Sequence, residues 1–206
     1  MPDQQKKGFS IEVSPAFMEI SLEKPEQEKE IKITYKNYSD QSINLRIFPI
    51  DFKQKNENGD LTLLGQQTEG YSYSLSSFLS FNSTSIEVDP QGTGTLTVKA
   101  KNRQDLSPGG HYAAVIATLT ADTESTGSAK IAPSVSSLIL LRKVGGERFN
   151  LSLKEVDWPD SLMTFSYPEA VHLLFQNEGN IHMVPYGRIE VRDMFSRILS
   201  KGTINV

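Results

Sequence analysis

The sequence contains no cysteine, three histidines and one tryptophan among 206 residues. The lack of cysteine excludes disulfide scaffolds and thiolate metal sites. The histidines are His111, His172 and His182, and their spacing matches no zinc pattern such as His-x-x-x-His. No apolar run reaches the roughly 18 residues that a transmembrane helix needs.

The chain also lacks a strong excess of positive or negative charge. The net charge is -4, and lysine and arginine form no cluster. Nucleic-acid binders usually carry a basic stripe, so we expect no nucleic-acid partner. The polar start, residues 1–7, fits either a native tail or a start just after a removed export signal.

What the chain has is period-two hydrophobicity, clearest in residues 106–120. The turn Ser107-Pro108-Gly109-Gly110 leads into a run of ten residues that could be buried on both sides. We expect this strand to form a central hairpin with residues 134–144, across a polar loop at 121–130.

Alternating runs punctuated by Pro, Gly and Asn fill the rest of the first 144 residues, giving about eight strands and predicting a β-sandwich. Pro15 predicts an edge strand that switches sheets. The apolar residues change from odd to even positions between Ile47 and Phe48, which predicts a β-bulge or a strand break beside Pro49. Gly145 and Gly146 mark a domain boundary. Residues 146–206 begin again in the same style, but are fewer than the roughly 100 residues of an immunoglobulin-like sandwich.

No catalytic constellation is present. No serine lies in a Gly-x-Ser-x-Gly elbow, and the aspartates fall in separate loops and strands. Residues 56–60 resemble a calcium loop faintly and predict a plain hairpin tip instead. His111 is expected to cap a strand, and His172 to lie on the surface. We therefore predict a non-enzyme with no catalytic, cofactor or metal site.

One aromatic group lies near a predicted loop end: Tyr71, Tyr73 and Phe78. Residues 74–79 have helical spacing and predict one or two helical turns, with Ser74 as N-cap. The three rings could stack on a glycan or contact a partner side chain. Packing in the core is the favoured interpretation of the same residues.

The order of several segments resembles bacterial surface proteins of the WxL-interacting type and, more broadly, PapD-like two-domain proteins. The segments are FSIEVSP (9–15), ITYKNYS (33–39), SLSSFL (74–79), LSPGGHY (106–112), FQNEGNIH (175–182) and PYGRIEV (185–191). The resemblance implies two tandem immunoglobulin-like β-sandwiches outside the cytoplasm, over 1–145 and 146–206, the second short or truncated. It also implies a C-terminal membrane anchor in the full-length protein, which this sequence lacks.

These features predict an all-β, non-catalytic, extracytoplasmic binding or scaffold module of a bacterial cell surface or cell wall, serving adhesion or protein–protein interaction. Its partner would be another envelope protein or a cell-wall polymer. Two alternatives stay open: a peptidoglycan- or carbohydrate-binding domain using Tyr71, Tyr73 and Phe78, and an accessory domain of a larger envelope enzyme.

Overall fold

The computed structural model describes residues 10–65, 70–120, 132–157 and 171–205. The chain divides into two compact units, residues 1–146 (unit 1) and 147–206 (unit 2). Phe9, the loop predicted at 121–130 and the alternating run Met163-Phe165-Tyr167 lie outside the described residues. In the part that is described, no helix is long and apolar enough to cross a membrane.

The described elements are β-strands and one 3₁₀ turn, η1, which confirms the all-β prediction. In chain order the elements are β1 (Ile11–Ser14), β2 (Phe17–Leu22), β3 (Glu28–Asn37), β4 (Ile43–Gln54), β5 (Leu61–Gly65), η1 (Ser76–Phe78), β6 (Leu79–Phe81), β7 (Ser85–Val88), β8 (Thr93–Lys101), β9 (Gly109–Leu119), β10 (Ser134–Lys143), β11 (Leu151–Asp157), β12 (His172–Asn177), β13 (Gly187–Arg192) and β14 (Ile198–Ile204).

Unit 1 is a β-sandwich of two sheets. Sheet A has the strand order β1-β3-β8-β6, and sheet B the order β2-β10-β9-β4-β5, with β7 also pairing with β4. The core between them holds Ile33, Tyr35, Leu45, Leu96 and Leu141, all fully buried. Burial of these aliphatic and aromatic side chains is the main stabilising contribution.

Strand β9 is the centre of sheet B. It pairs antiparallel with β10, from Thr118 opposite Ser134 to Gly109 opposite Lys143, which confirms the predicted central hairpin. Its other edge pairs with β4. Val115 faces the sandwich core while Ile116 faces the opposite side of the sheet, and both are buried. The prediction that this strand is covered on both faces is confirmed.

The first two strands switch sheets at Pro15, as the sequence predicts. Strand β1 pairs antiparallel with β3 at the edge of sheet A. Strand β2 pairs parallel with β10 at the edge of sheet B. A proline between them removes a backbone donor where the chain leaves one ladder for the other.

The prediction of a bulge or strand break beside Pro49 is wrong. Pairing between β4 and β9 is uninterrupted from Leu45 to Asp51. The apolar residues change from odd to even positions because β4 buries different faces along its length. Ile47 points into the sandwich core, whereas Phe48 belongs to a second apolar cluster on the outer face of sheet B. The register shift that β4 does show lies between Asp51 and Phe52, in its pairing with β5.

The described residues of unit 2 form two two-stranded antiparallel sheets, β11-β12 and β13-β14. Alternation in residues 146–206 predicts strands around Leu151, Leu173 and Ile189 and a last hairpin that includes Ile198, and strands β11 to β14 lie at these positions. His172 is exposed, as predicted. That this unit is an incomplete immunoglobulin-like domain stays a prediction.

The turn after β3 is held by one fully buried side chain, that of Asn37. Its Nδ2 donates to the carbonyls of Gln41 (2.7 Å), Val88 (3.2 Å) and Asp89 (3.0 Å). Its Oδ1 accepts from the amide of Ser39 at 2.9 Å. The side-chain amide of Asn37 thus connects the β3–β4 turn to the end of β7, with Nδ2 as donor and Oδ1 as acceptor.

We expect Asn37→Asp to lower the free energy of unfolding of unit 1 by about 3 kcal/mol, because a buried carboxylate cannot donate to the three carbonyls that Asn37 contacts. Chemical denaturation followed by near-UV circular dichroism measures the change. The control is Asn58→Asp in the exposed β4–β5 turn, where Asp-Gly serves as well as Asn-Gly. Equal stability of the two variants would contradict this role of Asn37.

Candidate binding surface

The outer face of sheet B, the side away from the sandwich core, carries a continuous apolar surface. We call it the outer patch. The patch is formed by Phe48, Ile50, Phe52, Tyr112, Leu138 and Leu140, packed around buried Ala114 and Ile116. An outward sheet face in an antiparallel sandwich is usually polar, so this surface is a candidate for contact with a partner.

The outer patch extends to both edges of sheet B. On β2, Phe17 is 52% exposed and lies opposite Leu138. On β5, Leu63 is 53% exposed and lies opposite Phe52. Cross-strand neighbours of this kind form continuous rows on one face of a sheet. The surface therefore crosses the whole width of the sheet and becomes more exposed toward its edges.

Two of the three aromatic residues predicted to form a contact group lie at one corner of this patch. The rings of Tyr71 and Tyr73 meet edge to face at 5.8 Å, and Tyr73 lies 6.0 Å from Tyr112. The hydroxyl of Tyr71 donates to the carbonyl of Phe52 at 3.0 Å. Burial, followed by the charge of Asp51, raises the pKa of Tyr71, so this hydroxyl stays protonated at neutral pH.

Phe78 lies elsewhere. It packs against the sandwich core, and the guanidinium of Arg103 covers its ring at 5.1 Å. The partners of the two tyrosines are instead Tyr112 and Phe52. Sequence proximity grouped Phe78 with the tyrosines, whereas η1 turns the chain inward between them. The sequence did contain a sign of the role of Tyr112. The outer-face apolar residues of β4, β9 and β10 all have even numbers, and Tyr112 is one of them.

Strand β5 forms the edge of sheet B beside the patch, and its sequence is LTLLG. It carries no charge and no proline, and Leu61 and Leu63 are 43% and 53% exposed. Natural edge strands usually carry a charge or a proline that prevents pairing with other chains. Strand β5 carries neither device, and its outward backbone groups are suited to an added strand.

Asp51, which sequence analysis did not single out, holds the η1 turn from the inner face of sheet B. Its side chain is fully buried. Oδ1 accepts from the amides of Leu75 (2.9 Å) and Ser76 (2.8 Å), and Oδ2 accepts from the hydroxyl of Ser74 (2.6 Å). The prediction that Ser74 is the N-cap is wrong, because Asp51 caps the turn from a distant strand.

His111 lies beside this turn and is 2% exposed. Its Nδ1 is 3.0 Å from the carbonyl of Ser74, and its Nε2 is 2.8 Å from the carbonyl of Ser107. A neutral imidazole carries a single N–H, so His111 donates to one of these carbonyls and lies against the other, beside the start of β9. Aspartate, serine and histidine meet here, but the Ser74 hydroxyl donates to Asp51 rather than to the imidazole. That arrangement does not activate a nucleophile.

The other side chains that could bind a metal ion do not come together. Within the described ranges, no group of three His, Asp or Glu side chains could hold a metal ion. At residues 56–60, Nδ2 of Asn56 donates to Asp60 at 2.8 Å, and Gly59 has a φ of 84°. Those contacts belong to the hairpin tip that the sequence predicts.

Comparison with solved structures shows what this fold resembles. A chain from a chaperone–tip adhesin complex of CFA/I fimbriae biogenesis aligns with a TM-score of 0.52 and 10% identity, over 95% of this chain and 80% of that one. The class 5 fimbriae chaperone CfaA gives 0.49 and 10%, over 89% and 71%. The Escherichia coli chaperone DraB gives 0.46 and 10%, over 96% and 97%.

No family model matches the sequence, and no curated protein matches it. The first of the structural likenesses establishes a shared immunoglobulin-like, PapD-like β-sandwich fold. At 10% identity it establishes the fold alone.

Burial lowers the pKa of His111 below its usual 6.5, and the two carbonyl contacts offset this only in part. The unfolded chain therefore binds a proton that the folded chain resists, so unit 1 should lose stability as pH falls below 6.5. Wild type should be more stable than His111→Gln at about pH 8, and this difference in the free energy of unfolding should shrink toward pH 5. Chemical denaturation at a series of pH values between these limits measures it.

The control for this titration is His172→Gln, which replaces an exposed histidine in unit 2. It should leave the pH dependence of unit 1 unchanged. A wild-type stability that rises on acidification relative to His111→Gln would show that the carbonyl contacts outweigh burial, which is the opposite of our account.

Proposed function

We propose that this chain is a non-catalytic, extracytoplasmic protein-binding module of a bacterial cell-surface protein, and that it holds its partner through the outer patch and the β5 edge. The observation that carries the proposal is the uncharged edge strand with exposed Leu61 and Leu63 beside an apolar sheet face. A partner strand added to β5 would pair with its backbone and place alternate side chains over the patch.

A protein partner fits this surface better than a glycan. Glycan sites present aromatic faces with polar groups around them, whereas the patch is mostly leucine, isoleucine and phenylalanine. Tyr71 and Tyr73 meet edge to face and are half-buried, so they form no flat platform. Peptidoglycan or carbohydrate binding at this corner is the second candidate, since Tyr71, Tyr73 and Tyr112 do cluster there.

A binding role also fits the polar groups of unit 1. The carboxylate of Asp51 and the imidazole of His111 are both engaged with main-chain groups that hold loops in place. Groups fixed in this way stabilise structure rather than react with a substrate.

The support for an extracytoplasmic location is the likeness of fold to a chain from a chaperone–tip adhesin complex of fimbriae biogenesis, since fimbriae are assembled outside the cytoplasm. We further propose that the chain belongs to a WxL-interacting type of surface protein, with a membrane anchor in the full-length protein. The order of sequence segments is the support for this finer assignment.

The experiment compares envelope-protein capture with cell-wall sedimentation. Immobilised wild type should retain a specific envelope protein, and Leu61→Lys/Leu63→Lys should retain at least 10-fold less, because two charges on β5 oppose edge pairing. Leu199→Lys is the matched control, since Leu199 is 45% exposed on a strand of unit 2. It should bind like wild type.

Purified peptidoglycan provides the competing test. We expect the wild-type protein to stay in the supernatant when peptidoglycan is sedimented. Co-sedimentation that Tyr73→Ala abolishes and the β5 double variant leaves intact would contradict protein binding at β5 and support the second candidate.

A further inference from the structure

Unit 2 repeats the pairing of the first strands of unit 1. In unit 1, Ile11 of β1 lies opposite Asn37 of β3. In unit 2, Leu151 of β11 lies opposite Asn177 of β12, so each partner is shifted by 140 residues. The hydrogen bond that closes each pair is conserved between the units, from Tyr38 N to Ser10 O (2.9 Å) and from Glu178 N to Asn150 O (2.8 Å).

The same shift relates the turns that follow. Nδ2 of Asn37 donates to the carbonyl of Gln41 at 2.7 Å, and Nδ2 of Asn177 donates to that of Ile181 at 2.6 Å. In both units Oδ1 of the asparagine accepts from the amide two residues later, at 2.9 Å. Identical turn chemistry at identical register indicates that β11 and β12 correspond to β1 and β3.

The core-facing residues of β3 and β12 also correspond, but their environments differ. Ile31, Ile33 and Tyr35 of β3 are buried, at 8%, 0% and 0% exposure. Their counterparts Val171, Leu173 and Phe175 are only half-buried. The last three line an apolar groove of about 480 Å³ within unit 2, together with Ile189, Val191 and Ile204 of the second sheet.

The difference in burial between β3 and β12 follows from the strands that pair with them. In unit 1 the second edge of β3 pairs with β8, antiparallel, from Glu28 opposite Lys101 to Lys36 opposite Thr93. Within the described part of unit 2, β12 pairs with β11 alone. The β13–β14 hairpin corresponds by the same shift to β4 and β5 of unit 1. In unit 1, β9 pairs with the other edge of β4.

We propose that unit 2 is the first half of a second sandwich of the same plan, and that its groove is filled by the counterpart of β8 in that repeat. This strand would lie antiparallel along the edge of β12 that pairs with no strand among the described residues. Its side chains would alternate between apolar and polar, as Leu96, Val98 and Ala100 do along β8.

The chemistry of the groove favours a strand over other occupants. An exposed strand edge repeats donors and acceptors at the spacing of extended backbone, which a helix or a glycan does not match. The apolar lining residues of both sheets are branched aliphatics and one phenylalanine, and they favour apolar side chains at alternate positions of the added strand. Arg188, Glu190 and Arg192 also line the groove, and the Arg192 guanidinium pairs with the Glu190 carboxylate at 2.6 Å.

A self-complementation experiment tests the proposal on the whole chain. A second copy of the β8 sequence, TGTLTVKAK, is fused after Val206 through a flexible linker of about 12 residues, which gives an effective concentration near the millimolar range. We expect amide hydrogen exchange in β12 to slow by at least 10-fold, and the unfolding midpoint of unit 2 to rise.

The control fusion carries aspartate at the positions equivalent to Leu96 and Val98, which keeps the backbone but removes the apolar face. It should exchange like the unfused protein. Equal exchange of β12 amides in the two fusions would overturn the proposal. The β8 amides of unit 1 serve as an internal reference, and the outcome is independent of the binding role proposed for unit 1.

Discussion

The constraint on which unit 1 depends is that β9 must be buried on both faces. Alanines on either side of the strand, Ala113 inward and Ala114 outward, allow large neighbours to close over it. A strand with no polar face can lie only in the middle of a sheet, with β4 and β10 on its two edges. The outer patch is the direct consequence, because the residues that cover Ala114 and Ile116 must themselves be apolar.

Much of this fold could be predicted from the sequence, because alternation reports which face of each strand is buried. The β9–β10 hairpin, the switch at Pro15 and the strands of unit 2 follow from local pattern and turn residues. The parity change at Phe48 could not be interpreted from one strand alone. A bulge and a second buried face give the same pattern, and only the neighbours Tyr112, Leu138 and Leu140 distinguish them.

The candidate site was predictable only in part. Tyr71 and Tyr73 do meet, but Phe78 is separated from them because Asp51 turns the chain inward at η1. A side chain on β4 capping a turn more than twenty residues away is a tertiary contact, and no local pattern reports it. The polar cluster of Asp51, Ser74 and His111 is therefore a structural element that supports the outer patch. It holds the aromatic corner against the start of β9.

The central claim is that this molecule holds a partner on the outer face of sheet B. Amide hydrogen exchange with and without the captured envelope protein tests it most directly. Our account predicts new protection at the outward amides of β5, with slower exchange also in β4 beneath the patch. Protection confined to sheet A or to unit 2, with β5 unchanged in the complex, would contradict it.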